Sequence, residues 1–275
     1  MPRIRLLLLC LLAMVGFAAN SLLARAAIGA GTIDAAGYSL VRLAAGAAML
    51  AVLASVSRVP IFGGSWLGAI ALAAYAVAFS FAYVRIGAAL GALIIFPVVH
   101  LTLLVGGAMR GERHRRDEWV GASLALGGLI ALTAPRAHSR DALGITLMIT
   151  AGLAWAVYTW QGRGVTSALS ATSGNFVRGV VVAAPLILVQ PPAWPSSHGL
   201  FLAACSGAFT SALAYAIWYL VVPHLSSMQA GLVQLSVPAL AAMGAVLVLG
   251  ERLTMHLAVS AGVIFAGLLL AIVRR

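Results

Sequence analysis

From Gly179 to Gly250 the chain runs for 72 residues without one formal charge. No water-soluble domain folds from such a stretch. Soluble chains carry about 25% charged residues, whereas this one carries 8%, with 63% hydrophobic. A membrane helix needs about 20 mostly apolar residues. Ten runs in the 275-residue chain approach that length: 6–24, 36–56, 64–83, 88–109, 119–134, 142–160, 173–190, 198–221, 226–248 and 257–273. They are rich in Leu and Ala and do not alternate, which argues against a β-barrel. Their connections are short, at 58–64, at 110–118, at 135–141 and around Pro191, Pro192 and Pro195. The expected fold is therefore an all-α polytopic membrane protein with ten transmembrane helices and no soluble domain.

The formal net charge is +11, and all 17 basic residues are arginine. A strongly basic chain can signal nucleic acid. Here the arginines punctuate apolar runs instead of clustering on a polar domain, so they read as topology. With ten spans both termini share a side. Placed in the cytoplasm, they give ten arginines in inside segments and five in outside segments, with Arg42 and Arg178 inside spans. That bias predicts cytoplasmic termini in a bacterial inner membrane. Arg3, Arg5, the run 6–12 and Ala24-Arg25-Ala26 have the outline of a secretory leader. Nine further spans make an uncleaved first helix the expectation.

The sequence also repeats itself. Gly111-Glu112-Arg113 returns as Gly250-Glu251-Arg252, 139 residues later. Val41-Arg42 matches Val177-Arg178, Tyr75 matches Tyr215, and Phe79 matches Tyr219. Gly91 and Pro97 match Gly231 and Pro238, and Gly16 matches Gly152. The offsets stay between 136 and 141. Each half, 1–137 and 138–275, then holds five helices. An odd number forces the second half to cross the membrane inverted, the plan of many secondary transporters, whose binding site lies near the midplane between repeats.

These residues resemble the drug/metabolite transporter superfamily, in its ten-helix EamA-type branch. The second half carries the likeness through Trp155-Ala156-Val157-Tyr158, Gly162-Arg163, Tyr215, Trp218-Tyr219, Pro238 and Gly250-Glu251-Arg252-Leu253-Thr254. The first half carries it through 16–22, Arg42, Pro97 and Gly111-Glu112-Arg113. Val15 stands where many relatives have tryptophan. The resemblance implies two inverted five-helix repeats and transport of small metabolites, often export of amino acids. The aromatic content of the third, sixth and eighth spans is similar to aromatic amino-acid exporters.

No Asp or Glu falls in the middle of a span, which argues against a carboxylate proton relay there. His100 is the deep titratable group. It suits a proton carrier, a substrate partner or a neutral bond to a neighbouring helix. Arg42 and Arg178 sit about six residues inside their helices and read as structural or gating groups, with a clamp for a substrate carboxylate as the alternative. Glu112 and Glu251 read as turn devices with their own ion pairs, or as gates. Tyr75, Phe79 and Tyr83 share one helix face at i, i+4, i+8. Tyr215 and Trp218, and Trp155 and Tyr158, make similar pairs. Polar-tipped rings near a midplane need a cavity or a partner. The expected substrate-binding set is Asn20, Tyr75, Phe79, His100, Trp155, Tyr158, Tyr215 and Trp218, with Asn20, Ser80 or His100 for the substrate's polar end. Gln229 and Gln234 read as interhelical glue or, equally, as substrate-binding groups. Pro97 and Pro238 are candidate hinges.

The chain lacks lysine, so it has no P-loop, and no cofactor, metal centre or catalytic constellation is expected. The expected partners are a small-molecule substrate and the lipid bilayer, with no nucleic acid and no obligate protein. The reading is a non-enzymatic secondary exporter of small amphipathic metabolites, amino acids first. An intramembrane lipid-modifying enzyme and a channel-like facilitator are the alternatives.

Overall fold

The computed structural model describes residues 1–190, 195–250 and 252–273. Glu251, Pro191, Pro192, Arg274 and Arg275 lie outside the described residues. The described residues form helices and no strand. We label them α1 (Arg3–Gly29), α2 (Ala35–Val56), α3 (Trp66–Met109), α5 (Ala142–Gly162), α6 (Ala168–Val189), α7 (Ser197–His224) and α8 (Ser227–Val248). Between and after these come α4 (Arg116–Thr133) and α9 (Met255–Val273). Among the described residues, the seven helices in the first group are long and apolar enough to cross a membrane.

The helix starts are set locally. The first amides of a helix have no intrahelical acceptor, and lipid supplies none. A short polar side chain fills the gap at most starts. The Gly37 amide donates to Asp34 Oδ1 at 2.6 Å, Gly68 to Ser65 Oγ at 2.9 Å, Gly144 to Asp141 Oδ1 at 2.7 Å and Gly199 to Ser196 Oγ at 3.0 Å. Ser226 and Gln229 form a reciprocal capping box on α8. Ser167 caps α6, which begins five residues before the start expected from hydropathy.

The runs expected as the third and fourth spans fall within one helix, α3, one of the seven candidate spans. A straight helix of 44 residues would be about 66 Å long at about 1.5 Å per residue, twice the roughly 30 Å of hydrocarbon. The helix breaks at Gly87, whose backbone takes φ 71 and ψ 177. Only glycine occupies that region readily. The apolar run is unbroken in the sequence except for Arg85, so the join looks like a loop there.

Helix α5 lies along α3, α2 meets α6 and α7, α1 meets α7 and α8, and α4 pairs with α9. The α4–α9 seam depends on small residues: a Cβ on Gly121 would run into the Gly267 carbonyl, and one on Gly267 into the Gly121 carbonyl. Such close approach is how helices associate where lipid removes the hydrophobic drive. Leu8, Val52, Ile130, Leu188 and Leu247 are exposed on outer faces, where acyl chains replace water.

The bundle has two distinct ends. At one, the Arg163 end, Ser170 Oγ donates to the Pro60 carbonyl at 2.5 Å. At the other, the Arg85 end, Arg85 pairs with Asp141 at 3.0 Å and the Ser196 amide donates to the Thr32 carbonyl at 3.0 Å. Asp141 is held below the usual carboxylate range, first by the Gly144 amide and then by Arg85, against a small opposing effect of burial.

Replacing Gly87 by alanine should cost about 1–3 kcal/mol, the range for a non-glycine residue in that backbone region. Gly127→Ala, on an open face of α4, should leave the thermal midpoint in detergent unchanged or slightly raised. Equal midpoints for the two variants would contradict the break at Gly87.

Candidate functional site

A cavity of about 190 Å³ lies among α1, α3, α5, α7 and α8. A single buried water needs about 10–15 Å³ of such space, so this one suits a small molecule more than a bare ion. Its depth is walled by Phe17, Asn20, Tyr75, Trp155, Tyr215 and Gln234, and it extends toward the Arg85 end past Phe79, Tyr83, Pro238 and Arg25. The one-face spacing of Tyr75, Phe79 and Tyr83 brings their rings into a file with centroids 5.8 and 5.7 Å apart. Trp155 lies at the centre, 4.8 Å from both the Tyr75 and Tyr215 rings and edge-on to Phe17 at 5.3 Å.

Neutral hydrogen bonds orient these rings. Trp155 Nε1 donates to Gln234 Oε1 at 2.5 Å, and Gln234 Nε2 donates to the Ala230 carbonyl at 2.8 Å. Asn20 Oδ1 accepts from Ser206 Oγ at 2.6 Å and from Thr210 Oγ1 at 3.3 Å. Tyr158 and Trp218 are not in the wall. They form a layer beneath it, toward the Arg163 end. Tyr158 stacks on Trp155 at 5.4 Å and meets Tyr219 at 4.7 Å, while Trp218 Nε1 donates to Thr159 Oγ1 at 3.2 Å. His100 is also outside the wall: it is buried against Gly231, and its Nδ1 has no hydrogen-bond partner among the described residues. Pro97 sits on the same arm of α3 as His100, whereas Pro238 borders the cavity.

The repeat mates Arg42 and Arg178 have different surroundings. Arg178 donates to the Gly63 and Phe62 carbonyls at 2.7 and 2.9 Å, near the bundle surface. Arg42 is 1% exposed. Its Nε donates to Ser211 Oγ at 2.8 Å and its Nη2 to the Tyr215 hydroxyl at 2.5 Å. The guanidinium carbon lies 5.4 Å from the Tyr75 ring centre and 6.0 Å from that of Tyr215. Nη1 has no hydrogen-bond partner among the described residues.

At the Arg163 end, Gly111 turns the chain with φ 78 after α3. Glu112 does not pair with Arg113, the partner the Gly-Glu-Arg motif suggests. Its Oε1 meets Arg163 Nη1 at 2.9 Å, and it accepts from the Ser227 amide at 2.8 Å and the Ser227 hydroxyl at 3.0 Å. Arg163 also donates to Ser227 Oγ and, at 3.1 Å, to the Leu225 carbonyl. The capped start of α8 thus gives Glu112 better donors than its own turn does. The cluster ties the ends of α3, α5 and α8 together below the ring layer. Gly250, the mate of Gly111, has the same left-handed backbone with φ 68.

Among the described residues, no three His, Cys, Asp or Glu side chains gather as a metal site. The EamA-like transporter family model matches residues 142–273. An uncharacterized protein of Pseudomonas aeruginosa is 45% identical over 278 residues, spanning 100% of this chain and 97% of the relative. The chain belongs to the EamA-like transporter family. This EamA-like chain also shares its fold with a solved crystal structure, at a TM-score of 0.84 over 100% of both chains and 18% identity. Family membership makes it a membrane transporter of the drug/metabolite type.

Of the residues singled out in the sequence of this EamA-like protein, Asn20, Tyr75, Phe79, Trp155, Tyr215 and Pro238 border one cavity. Phe17 was missed, although it touches Trp155, Tyr215 and Trp218 edge-on. Gln234, for which the sequence leaves glue and substrate binding open, sits in the wall.

The Glu112 cluster has a pH signature. Desolvation raises the Glu112 pKa, but the Ser227 amide and hydroxyl and then Arg163 outweigh it, leaving it below 4.5. A depressed carboxylate stabilises the fold above its unfolded pKa and loses that contribution as pH falls through its folded value. Glu112→Gln should therefore be about 1.5–3 kcal/mol less stable than wild type at neutral pH, the range for a hydrogen bond to a charged group. Thermal unfolding in detergent should show that gap constant down to about pH 5 and closing below about pH 4. A gap that widened on acidification would contradict the arrangement.

Proposed function

We propose that this transporter is a secondary carrier that exports small amphipathic metabolites, amino acids and aromatic ones foremost, by alternating access. The observation that carries the reading is a ring-walled cavity that extends to one end of the bundle while the other end is tied by Glu112, Arg163 and Ser227. On this reading Tyr75, Phe79, Trp155 and Tyr215 stack on the substrate's apolar part, and Asn20 bonds its polar end. Tyr158 and Trp218 brace the floor of the site. His100 lies too deep in the seam with α8 to meet the cargo without movement and acts as a neutral packing group. Pro97 and Pro238 bend as hinges, Arg178 anchors α6, and Glu112 serves the Arg163 end.

The same reading takes the chain as ten membrane crossings in two inverted five-helix halves, 1–137 and 138–275. In its support, the break at Gly87 divides α3 into two arms of membrane length. The packing partners also exchange between halves: α1 of the first half lies on α7 and α8 of the second, and α5 of the second lies on α3 of the first. The arginine bias supports a bacterial inner membrane with both termini in the cytoplasm.

Purified protein in liposomes should take up at least one labelled aromatic amino acid saturably. An imposed pH gradient should not accelerate it, because no carboxylate of a span is available to carry the proton. Trp155→Ala and Tyr75→Ala should insert normally and lose about tenfold or more in uptake, the factor equivalent to a ring contact of about 1.4 kcal/mol. Uptake of no amino acid would remove the substrate assignment, and unchanged uptake by both variants would remove the rings from the site.

A further inference from the structure

The cavity has cations in and behind its wall. Among the described residues, the wall contains no Asp or Glu. Tyr75 and Tyr215 both belong to the wall, and both flank the buried guanidinium of Arg42. Arg42 keeps its charge at any working pH. A charge at that depth is costly and is normally paired. The groups around this one are hydroxyls and rings: Ser211, Tyr215, Tyr75 and Tyr38. Arg42 Nη1 has no hydrogen-bond partner among the described residues. Its repeat mate Arg178 has carbonyl acceptors for both terminal nitrogens, near the bundle surface.

We propose that Arg42 is the counter-charge for a carboxylate carried in this cavity, so that the site selects amphipathic organic acids and does not require an α-ammonium group. The proposal rests on the carrier reading above and narrows its substrate class. The carboxylate lies against the Tyr75 and Tyr215 hydroxyls, on the side of the wall where Arg42 donates. The substrate's ring or alkyl part meets Trp155 and Phe17. An ammonium group finds no acidic partner in the wall and contributes nothing to binding. Arg25 at the Arg85 end adds positive charge along the approach. Amino acids enter through their carboxylate, and the same acids without the amine enter as well.

The test is equilibrium dialysis of purified wild-type protein against labelled 3-phenylpropanoate, with 3-phenylpropanamide and phenethylamine as probes of equal ring content. The carboxylate should bind about tenfold or more tightly than either probe, a ratio that one charge-assisted contact readily supplies. Arg42→Gln should erase the preference, and Arg42→Lys should keep part of it. If Arg42→Gln fails to fold, the wild-type ranking decides alone. Equal binding of acid and amide, preference for the amine, or binding of none of the three overturns the proposal. Liposome uptake that ignores the carboxylate would leave the carrier reading standing and remove only this one. Absence of all uptake would remove the carrier reading itself.

Discussion

Lipid offers no hydrogen-bond partner, and the rest of this structure follows from that. Polar groups that enter the bundle have to find their partners inside the protein, and most of those described do. Helix starts are met by Asp34, Ser65, Asp141, Ser196 and Ser226. Trp155 is met by Gln234, and Trp218 by Thr159. With few charges available, the site is built from rings held by neutral bonds. Stacked and edge-on ring pairs add about 0.5–1.5 kcal/mol each beyond their buried area. That makes an aromatic cluster a strong way to shape a cavity in a chain that has no acidic residue to spare for it.

Arg42 shows the same rule from the other side. Its guanidinium offers five N–H donors, and the surrounding helices provide hydroxyls and ring faces. The cost of holding it there falls on Ser211, in a stretch of α7 whose turns are widened to the π form over Ser206–Leu213, and on Tyr215 just after it. Such segments often occur at functional sites. Here the widened turns carry both Ser206, which holds Asn20, and Ser211, which holds Arg42. One local irregularity therefore serves two polar groups on different helices.

Much of the fold was legible because membrane helices announce themselves by length, and a long apolar run needs no partner to be recognised. The ring set was legible in part for a similar reason: i, i+4 spacing places Tyr75 and Phe79 on one face whatever that face meets. What the spacing could not supply was the occupant of the opposite wall. Phe17 looks like any apolar residue of a first helix until α5 and α7 bring Trp155 and Tyr215 to it. His100 and Trp218 read as deep polar-tipped groups, and they are deep, but their neighbours in the bundle turn them away from the cavity. The Glu112 partner was out of reach as well. The motif puts Arg113 next to it in sequence, while Arg163 lies 51 residues away and arrives only because α5 ends beside α3.

The repeat gives the Arg163 cluster a further meaning. Glu112 and Glu251 are 139 residues apart, and Arg25 and Arg163 are 138 apart, within the range of the other repeat offsets. On the inverted-repeat reading, Arg25 is the mate of Arg163, and it borders the cavity at the opposite end. A carrier needs one end shut at a time, so its closing contacts must be exchangeable. The Arg163–Glu112 pair fits that need: its side chains are 19% and 23% exposed. Ion pairs exposed to water are worth about 0–1 kcal/mol, while a fully buried pair costs about 3–5 kcal/mol to break. On the alternating-access proposal, a tie between those limits would hold the end shut at rest and still yield when a bound substrate favours the other arrangement by a few kcal/mol, the scale on which ligands shift two-state equilibria.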